Sequence, residues 1–270
     1  ELVLCAAAAG GGATFGVTQP PLNPAEKTQY DRWKALSAEL SLPCLFEMGT
    51  LTILAFVDNL TDTDAVITTS VAEGFGMVFL EAWLAGRPLV GRDLPEITAD
   101  FVQAGVRLSE LYDQIRIPLS WVGERALTDA MYASYCPVLK AFGRPVPSAA
   151  QFAEDLEPLI ADGTVDFASL ASQLQAAVVR RVRQDAASRD QLIGQNRPWA
   201  ELLDDAGAVS GHVIEDNARC VREVFSLASS GQRLDRLYRT VLNSSRSDRV
   251  EAPARGENIL SSFLSLSRFQ

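Results

Sequence analysis

Glu73-Gly74-Phe75-Gly76-Met77-Val78-Phe79-Leu80-Glu81 sets two carboxylates eight positions apart, with a Gly-Phe-Gly turn and an apolar stretch between them. Upstream, Ala65-Val66-Ile67-Thr68-Thr69-Ser70 is short and β-branched and reads as a buried strand. Downstream, residues 77–85 are helix-forming and stop at Gly86, a C-cap residue. The segment is therefore strand, glycine turn, helix. The first N–H groups of such a helix are unpaired and lie at the positive end of its dipole, and glycines let an anion approach the backbone. A phosphate would be held there without a basic side chain.

Outward from this segment, residues 1–100 alternate strand and helix signals at short spacing. Residues 2–9 read as a strand running into Gly10-Gly11-Gly12. Pro43-Cys44-Leu45-Phe46-Glu47, residues 65–70 and Pro88-Leu89-Val90-Gly91 read as three more, with helices at about 25–40, 52–60 and 77–85. This order implies βαβ units: an α/β fold with a Rossmann-like parallel sheet and helices on both faces. Ligands of such sheets bind beyond the C-terminal strand ends. Gly10 to Gly12, Met48-Gly49, residues 70–76 and residues 92–96 all fall there, so four loops are expected to converge on one crevice. From about residue 99 the pattern turns mainly helical, with helices expected at about 167–184, 188–194, 212–229 and 233–242. Residues 244–257 read as an exposed linker and 259–269 as a short apolar helix. The expected division is a Rossmann-like part, residues 1–123, and a helical extension, residues 124–270. No internal repeat is seen.

The chain has 270 residues, 47% of them hydrophobic, enough to bury a substantial core in one large or two smaller domains. Its net charge of −10 argues against nucleic acid or an anionic membrane as the main partner, so any bound phosphate must be met locally. Cys5, Cys44, Cys136 and Cys220 form no C-x-x-C pair, and His212 is the single histidine, so a zinc site is not expected and the cysteines read as buried, reduced thiols. No apolar run approaches the ~18 residues of a transmembrane helix. No signal peptide is visible either, and a cytoplasmic protein is expected. The chain opens without methionine, apparently inside a strand, and reads as a piece of a longer polypeptide.

Thr69-Ser70-Val71-Ala72-Glu73-Gly74-Phe75-Gly76 on to Glu81-Ala82, followed by Gly86-Arg87-Pro88-Leu89-Val90 and Pro95-Glu96-Ile97, resembles the E-x7-E region of retaining glycosyltransferases of family 4. Leu45-Phe46-Glu47-Met48-Gly49 and Asp64-Ala65-Val66 resemble the strands before it. Val165-Asp166-Phe167, with the helix to Asp185, Arg189, Leu192 and Trp199, resembles the closing helices of the same domain. The resemblance covers residues 1–100 and roughly 164–204. It implies a GT-B enzyme, two Rossmann-like domains facing a cleft, of which this chain is the donor-binding C-terminal half, with 164–204 packing back on it.

By the same resemblance, Glu81 would hydrogen-bond ribose hydroxyls and Glu73, the catalytic candidate, would contact the donor sugar. Ser70, Gly74, Phe75, Gly76, Met77 and Val78, with Met48 and Gly49, would bind the rest of a nucleoside diphosphate sugar. The sugar would pass with retention to an unknown acceptor, positioned by an N-terminal domain of the same polypeptide, without cofactor or metal. A carboxylate accepting from two hydroxyls is a strong and selective contact, which agrees with the reading from the residues. Two departures stand out. The family's Arg and Lys pair for the leaving diphosphate would precede this chain, and Arg92-Asp93-Leu94-Pro95 replaces its usual glycine pair, leaving Arg92 as a candidate cation. Alternative readings are a non-catalytic nucleotide-sugar-binding or scaffolding module, or a GT-B sugar phosphorylase or epimerase.

Other signals have plainer readings. Asp62-Thr63-Asp64 is a D-x-D triplet, but it precedes a buried strand and reads as a connection away from the crevice. Gly10-Gly11-Gly12 lacks G-x-G-x-x-G spacing and serves a loop as well as a ligand. His212 follows Ser210-Gly211 and reads as part of a helix start. Arg180, Arg181 and Arg183 read as a solvated helix face. Leu260, Phe263, Leu264 and Phe269 are expected to form an exposed apolar face that covers the missing domain.

Overall fold

Asn23-Pro24 opens the first long helix. The Asn23 side chain accepts from the Ala25 N–H at 3.1 Å, and Pro24 occupies a first-turn position where a missing N–H costs nothing. The structure is a computed structural model and describes residues 1–9, 12–51, 56–204, 206–243 and 256–266. In chain order it begins with α1 (Leu2–Ala8), β1 (Phe15–Gly16), α2 (Pro24–Glu39), β2 (Cys44–Leu45), α3 (Met48–Leu51) and α4 (Phe56–Thr61). There follow β3 (Val66–Thr68), α5 (Val78–Leu84), β4 (Leu89–Arg92), α6 (Pro95–Gln103), β5 (Leu111–Tyr112) and β6 (Arg116–Pro118). The rest is helical except for β7: α7 (Leu119–Val122), α8 (Glu124–Ala141), α9 (Ala149–Leu156), β7 (Thr164–Asp166), α10 (Ser172–Gln184), α11 (Ala186–Gln195), α12 (Arg197–Asp204), α13 (Gly211–Val224), α14 (Leu227–Asn243) and α15 (Gly256–Phe263).

The architecture is mixed α/β with short strands. Among the described residues β1 pairs with β2 in parallel, β3, β4 and β5 form a three-stranded parallel sheet, and β6 pairs antiparallel with β7. Thr68 lies opposite Gly91, whose φ is +132°. A Cβ at Gly91 would stand 2.0 Å from the Thr68 carbonyl oxygen, so only glycine lets β3 and β4 close here.

Residues 2–9 form no strand. They are the helix α1, and all of its residues but Leu2 are buried. A short run that is apolar on every side carries no periodicity to separate helix from strand, and the alanines of Cys5-Ala6-Ala7-Ala8 have the highest helix propensity available. The expected helix at 52–60 is seen from Phe56, since 52–55 fall outside the described residues, as do Gly10, Gly11 and most of the 244–257 linker.

The larger core gathers α1, the end of α2, β6, β7, α8, α9, α10 and α11 around Leu4, Ile117, Leu127, Phe152, Phe167, Leu192 and Trp199. A smaller one packs α5 and α6 against α13, with Phe79, Trp83, Phe101 and Val221 buried and Phe225 edge-on to Phe101 at 5.4 Å. Each such side chain contributes about 1.5–3 kcal/mol by leaving water.

Arg92 ties the first core together. Its guanidinium, almost fully buried, binds the Glu1 and Asp166 carboxylates and the Asp113 carbonyl, and Tyr112 donates to Glu1 at 2.9 Å. Arg92 is thus spent inside the fold and supplies no charge to a ligand, contrary to its expected role. The arginines of α10 are not simply solvated either. Arg180 binds Glu39 through two hydrogen bonds, Arg183 donates to the carbonyls of Leu40 and Ser41, and Arg181 lies over the Trp121 ring at 4.8 Å. In α15, Phe263 is exposed as expected. Leu264, however, packs on the larger core of this same chain, with its carbonyl accepting from Tyr135 at 2.5 Å. Phe269 lies outside the described residues.

Candidate functional site

β1 uses one edge for β2 and β3 uses one edge for β4. Between the two strands lies a cavity of about 700 Å³. Residues 12–18 wall one side and residues 62–67 the other. α5 contributes Val78, Glu81 and Ala82, α3 contributes Met48, and α12 closes the far end with Leu202 and Leu203. The spacing 78, 81, 82 is one helix face, which explains why one turn of α5 meets the cavity while Phe79, Leu80 and Trp83 enter the smaller core.

The sequence-predicted residues divide into two groups. Met48, Val78 and Glu81 line the cavity. Ser70, Glu73, Gly74, Phe75, Gly76 and Met77 do not; they form the loop between β3 and α5. There the Ser70 hydroxyl donates to the Glu73 carboxylate at 2.7 Å, and Phe75 is 85% exposed. Gly76 makes the turn that leads this loop into α5. Its φ is +63°, and a Cβ would meet the Ile97 side chain at 2.4 Å, so this position needs glycine for both conformation and space. Gly49 also packs beside the cavity rather than in it, donating its N–H to the Thr18 carbonyl at 2.8 Å, while Met48 donates to Val17 at 3.0 Å. These two bonds seat α3 against the end of β1.

Asp62-Thr63-Asp64 lies in the cavity wall and not away from the site, because the connection from α4 into β3 borders the gap beside β1. Arg87 holds the end of α4 by donating to the Thr61 carbonyl, and Thr63 donates to the Leu60 carbonyl at 2.8 Å. Among the described residues the cavity therefore carries three carboxylates, Asp62, Asp64 and Glu81, and no lysine, arginine or histidine. Among the described residues no group of three or more His, Cys, Asp or Glu is placed to hold a metal ion. His212 is remote from this chemistry, exposed and 3.4 Å from Asp216 on its own helix.

Comparison with protein-family models, curated proteins and solved structures gives no match.

The chemistry of the cavity is set by these walls. Phe15, Val17, Leu45, Val66, Ile67, Val78 and Val90 offer apolar surface, and the carboxylates and threonines offer hydrogen-bond acceptors. Such a space suits an uncharged ligand with a flat apolar part and several hydroxyls. It repels a bare phosphate. Asp62, Asp64, Asn59, Leu202 and Leu203 were missed as site residues by sequence reasoning, and only the D-x-D triplet gave a signal that would have found any of them.

Proposed function

We propose that the chain is the donor-binding part of a retaining glycosyltransferase, with the nucleoside end of a nucleoside diphosphate sugar in the cavity. The observation that carries this reading is the position of Glu81 on a cavity that separates β1 from β3. Joined across that gap, the parallel strands would run in the order 2-1-3-4-5 of a doubly wound sheet, and the gap would be its switch point, where such sheets bind their ligands. In this reading Glu81 accepts from the two ribose hydroxyls, and the base takes the apolar wall. The diphosphate and sugar stay outside the acidic cavity, against the loop of Ser70, Glu73, Gly74, Phe75, Gly76 and Met77. Transfer to the acceptor requires the other half of the GT-B cleft, which positions the attacking hydroxyl.

A second reading, a module that binds the nucleotide sugar without transferring the sugar, is favoured by one observation: among the described residues the cavity beside which the diphosphate would lie is lined by carboxylates and by no cationic side chain.

Calorimetry with uridine, adenosine, UDP, GDP and ADP tests the proposal. One nucleoside and its diphosphate are expected to bind with similar affinity, and Glu81→Ala is expected to weaken both by about 1.5–3 kcal/mol, because the ribose loses a charged hydrogen-bond acceptor. Glu73→Ala is expected to leave free nucleotide binding unchanged and to weaken only the sugar-bearing donor. Absence of nucleotide binding at millimolar concentration would overturn both readings. Binding of the donor without release of sugar in the presence of an N-terminal half would favour the second.

A further inference from the structure

Leu234, Leu237, Tyr238 and Leu242 recur on α14 at helical spacing and, with Leu227, occupy an arc of about 140° on one side of the helix. None of the residues of α14 is buried; Leu227 is 93% exposed and Leu242 82%. An apolar stripe of this width on a helix that buries no residue is unstable in water, since helices of this length owe most of their stability to the burial of one face. Arg233 and Arg239 border the arc on its two sides and Arg236 lies opposite it. Asp235 is the only acidic residue of the helix, and it pairs with Arg239 at 2.7 Å. The helix is therefore cationic on a chain whose net charge is −10.

We infer that α14 is an interfacial helix that lays its leucine and tyrosine face into the surface of an anionic membrane, with Arg233 and Arg239 reaching the headgroups. Charge complementarity selects this occupant. Pairing with α14 of a second copy would set one cationic helix against another, and Arg233 and Arg239 stand at the two borders of the apolar arc, where their long stems lie along the acyl boundary while the guanidinium groups stay with phosphate. The side chain of Tyr238, with an apolar ring and a polar tip, matches the same boundary. No described helix is long and apolar enough to cross a membrane, so the contact lies in the plane of the surface. The net charge of the whole chain does not decide this, because attraction to a charged surface acts over roughly one Debye length, about 10 Å, and α14 is the part that comes within it.

Cosedimentation of the full chain with vesicles of phosphatidylcholine, with and without roughly a third phosphatidylglycerol, tests the inference. Binding is expected only to the anionic vesicles and is expected to fall as salt rises. Leu234→Asp with Leu237→Asp, and separately Arg233→Glu with Arg239→Glu, are each expected to weaken it about tenfold or more. Because α14 buries no residue, these variants are expected to keep the wild-type thermal unfolding profile, which circular dichroism checks. Absence of binding to anionic vesicles overturns the inference, as does binding that both variant pairs leave unchanged. Concentration-dependent dimerisation abolished by the Leu234 and Leu237 changes, without vesicle binding, assigns the face to a second copy and also overturns it.

Discussion

α1 and α14 are opposite ways of being a helix. α1 is a seven-residue helix with six residues buried, and α14 is a seventeen-residue helix with none. In α1 the neighbours supply the stability and the sequence supplies only alanine propensity and apolar bulk. In α14 the sequence supplies a clear amphipathic pattern and the described neighbours supply almost nothing. The difference teaches that periodicity records contact with water. Where water touches one face a pattern appears; where it touches none, the pattern vanishes although the helix is firmly placed.

The strongest way to break this contrast is to release the anchor of α1. Glu1 stands at its start, and Arg92 holds Glu1 together with Asp166. Arg92→Met leaves two carboxylates in a mostly dry site without their partner, and a loss of about 3–5 kcal/mol is expected in urea denaturation followed by circular dichroism. A loss below 1 kcal/mol would mean that α1 is held by packing alone. The next test compares equivalent truncations. Leu4→Ala, at a fully buried position, is expected to cost about 2–5 kcal/mol. Leu237→Ala, 56% exposed, is expected to change the unfolding midpoint little, since surface changes stay within about 0.5 kcal/mol. Similar costs at both positions would mean that α14 is covered in solution.

A smaller effect is read in pH. Burial pushes the Cys5 thiol from its ordinary 9.0 up to about 12. The folded-state value is the raised one, so the stability linked to this thiol is fully present below pH 9 and is lost as pH rises from there toward 12. Cys5→Ala removes that contribution. The variant is expected to lose less stability than the wild type between a pH below 9 and one above it, and equal losses would remove Cys5 as the cause. Burial raises the Tyr112 phenol in the same direction, so alkaline destabilisation persists in the variant, reduced.

The same contrast explains what the sequence made legible. α2 lies within one residue of its expected bounds at each end, and the structure shows Asn23-Pro24 capping it; β3 and α5 were read because a β-branched run, a glycine turn and an apolar helix follow one another locally. α6 was hidden by Arg92-Asp93-Leu94-Pro95, which reads as a stiff loop, although Pro95 is a first-turn residue. Of the candidate site's lining, Glu81 lies where a carboxylate after the glycine turn was expected, because its face is fixed by its own helix. At Asp62 and Asp64 the D-x-D triplet is visible in the sequence but its place on the cavity is not. Their place depends on how far β1 stands from β3, and no local pattern encodes a distance between strands. Arg92 failed for a related reason: its partners are 91 and 74 positions away, and a charged residue after a strand looks the same whether it faces a ligand or an ion pair.

The finest test exchanges glycine and alanine between the two helices. Gly231 lies inside α14, and a Cβ there meets nothing within 4 Å. Gly231→Ala is therefore expected to gain the full propensity difference, about 0.8–1.0 kcal/mol, with no steric term to offset it. Because α14 is barely coupled to either core, this gain is expected as slower hydrogen exchange of the amides of α14, with little change in the global midpoint. Ala6→Gly makes the reverse exchange in α1, where the helix is enclosed by the larger core. The propensity cost is the same in size, yet it is expected to lower the global midpoint, because α1 cannot unwind without opening the core around it. If Gly231→Ala instead raises the global midpoint by its full propensity, α14 unfolds together with the cores, and the independence attributed to it is wrong.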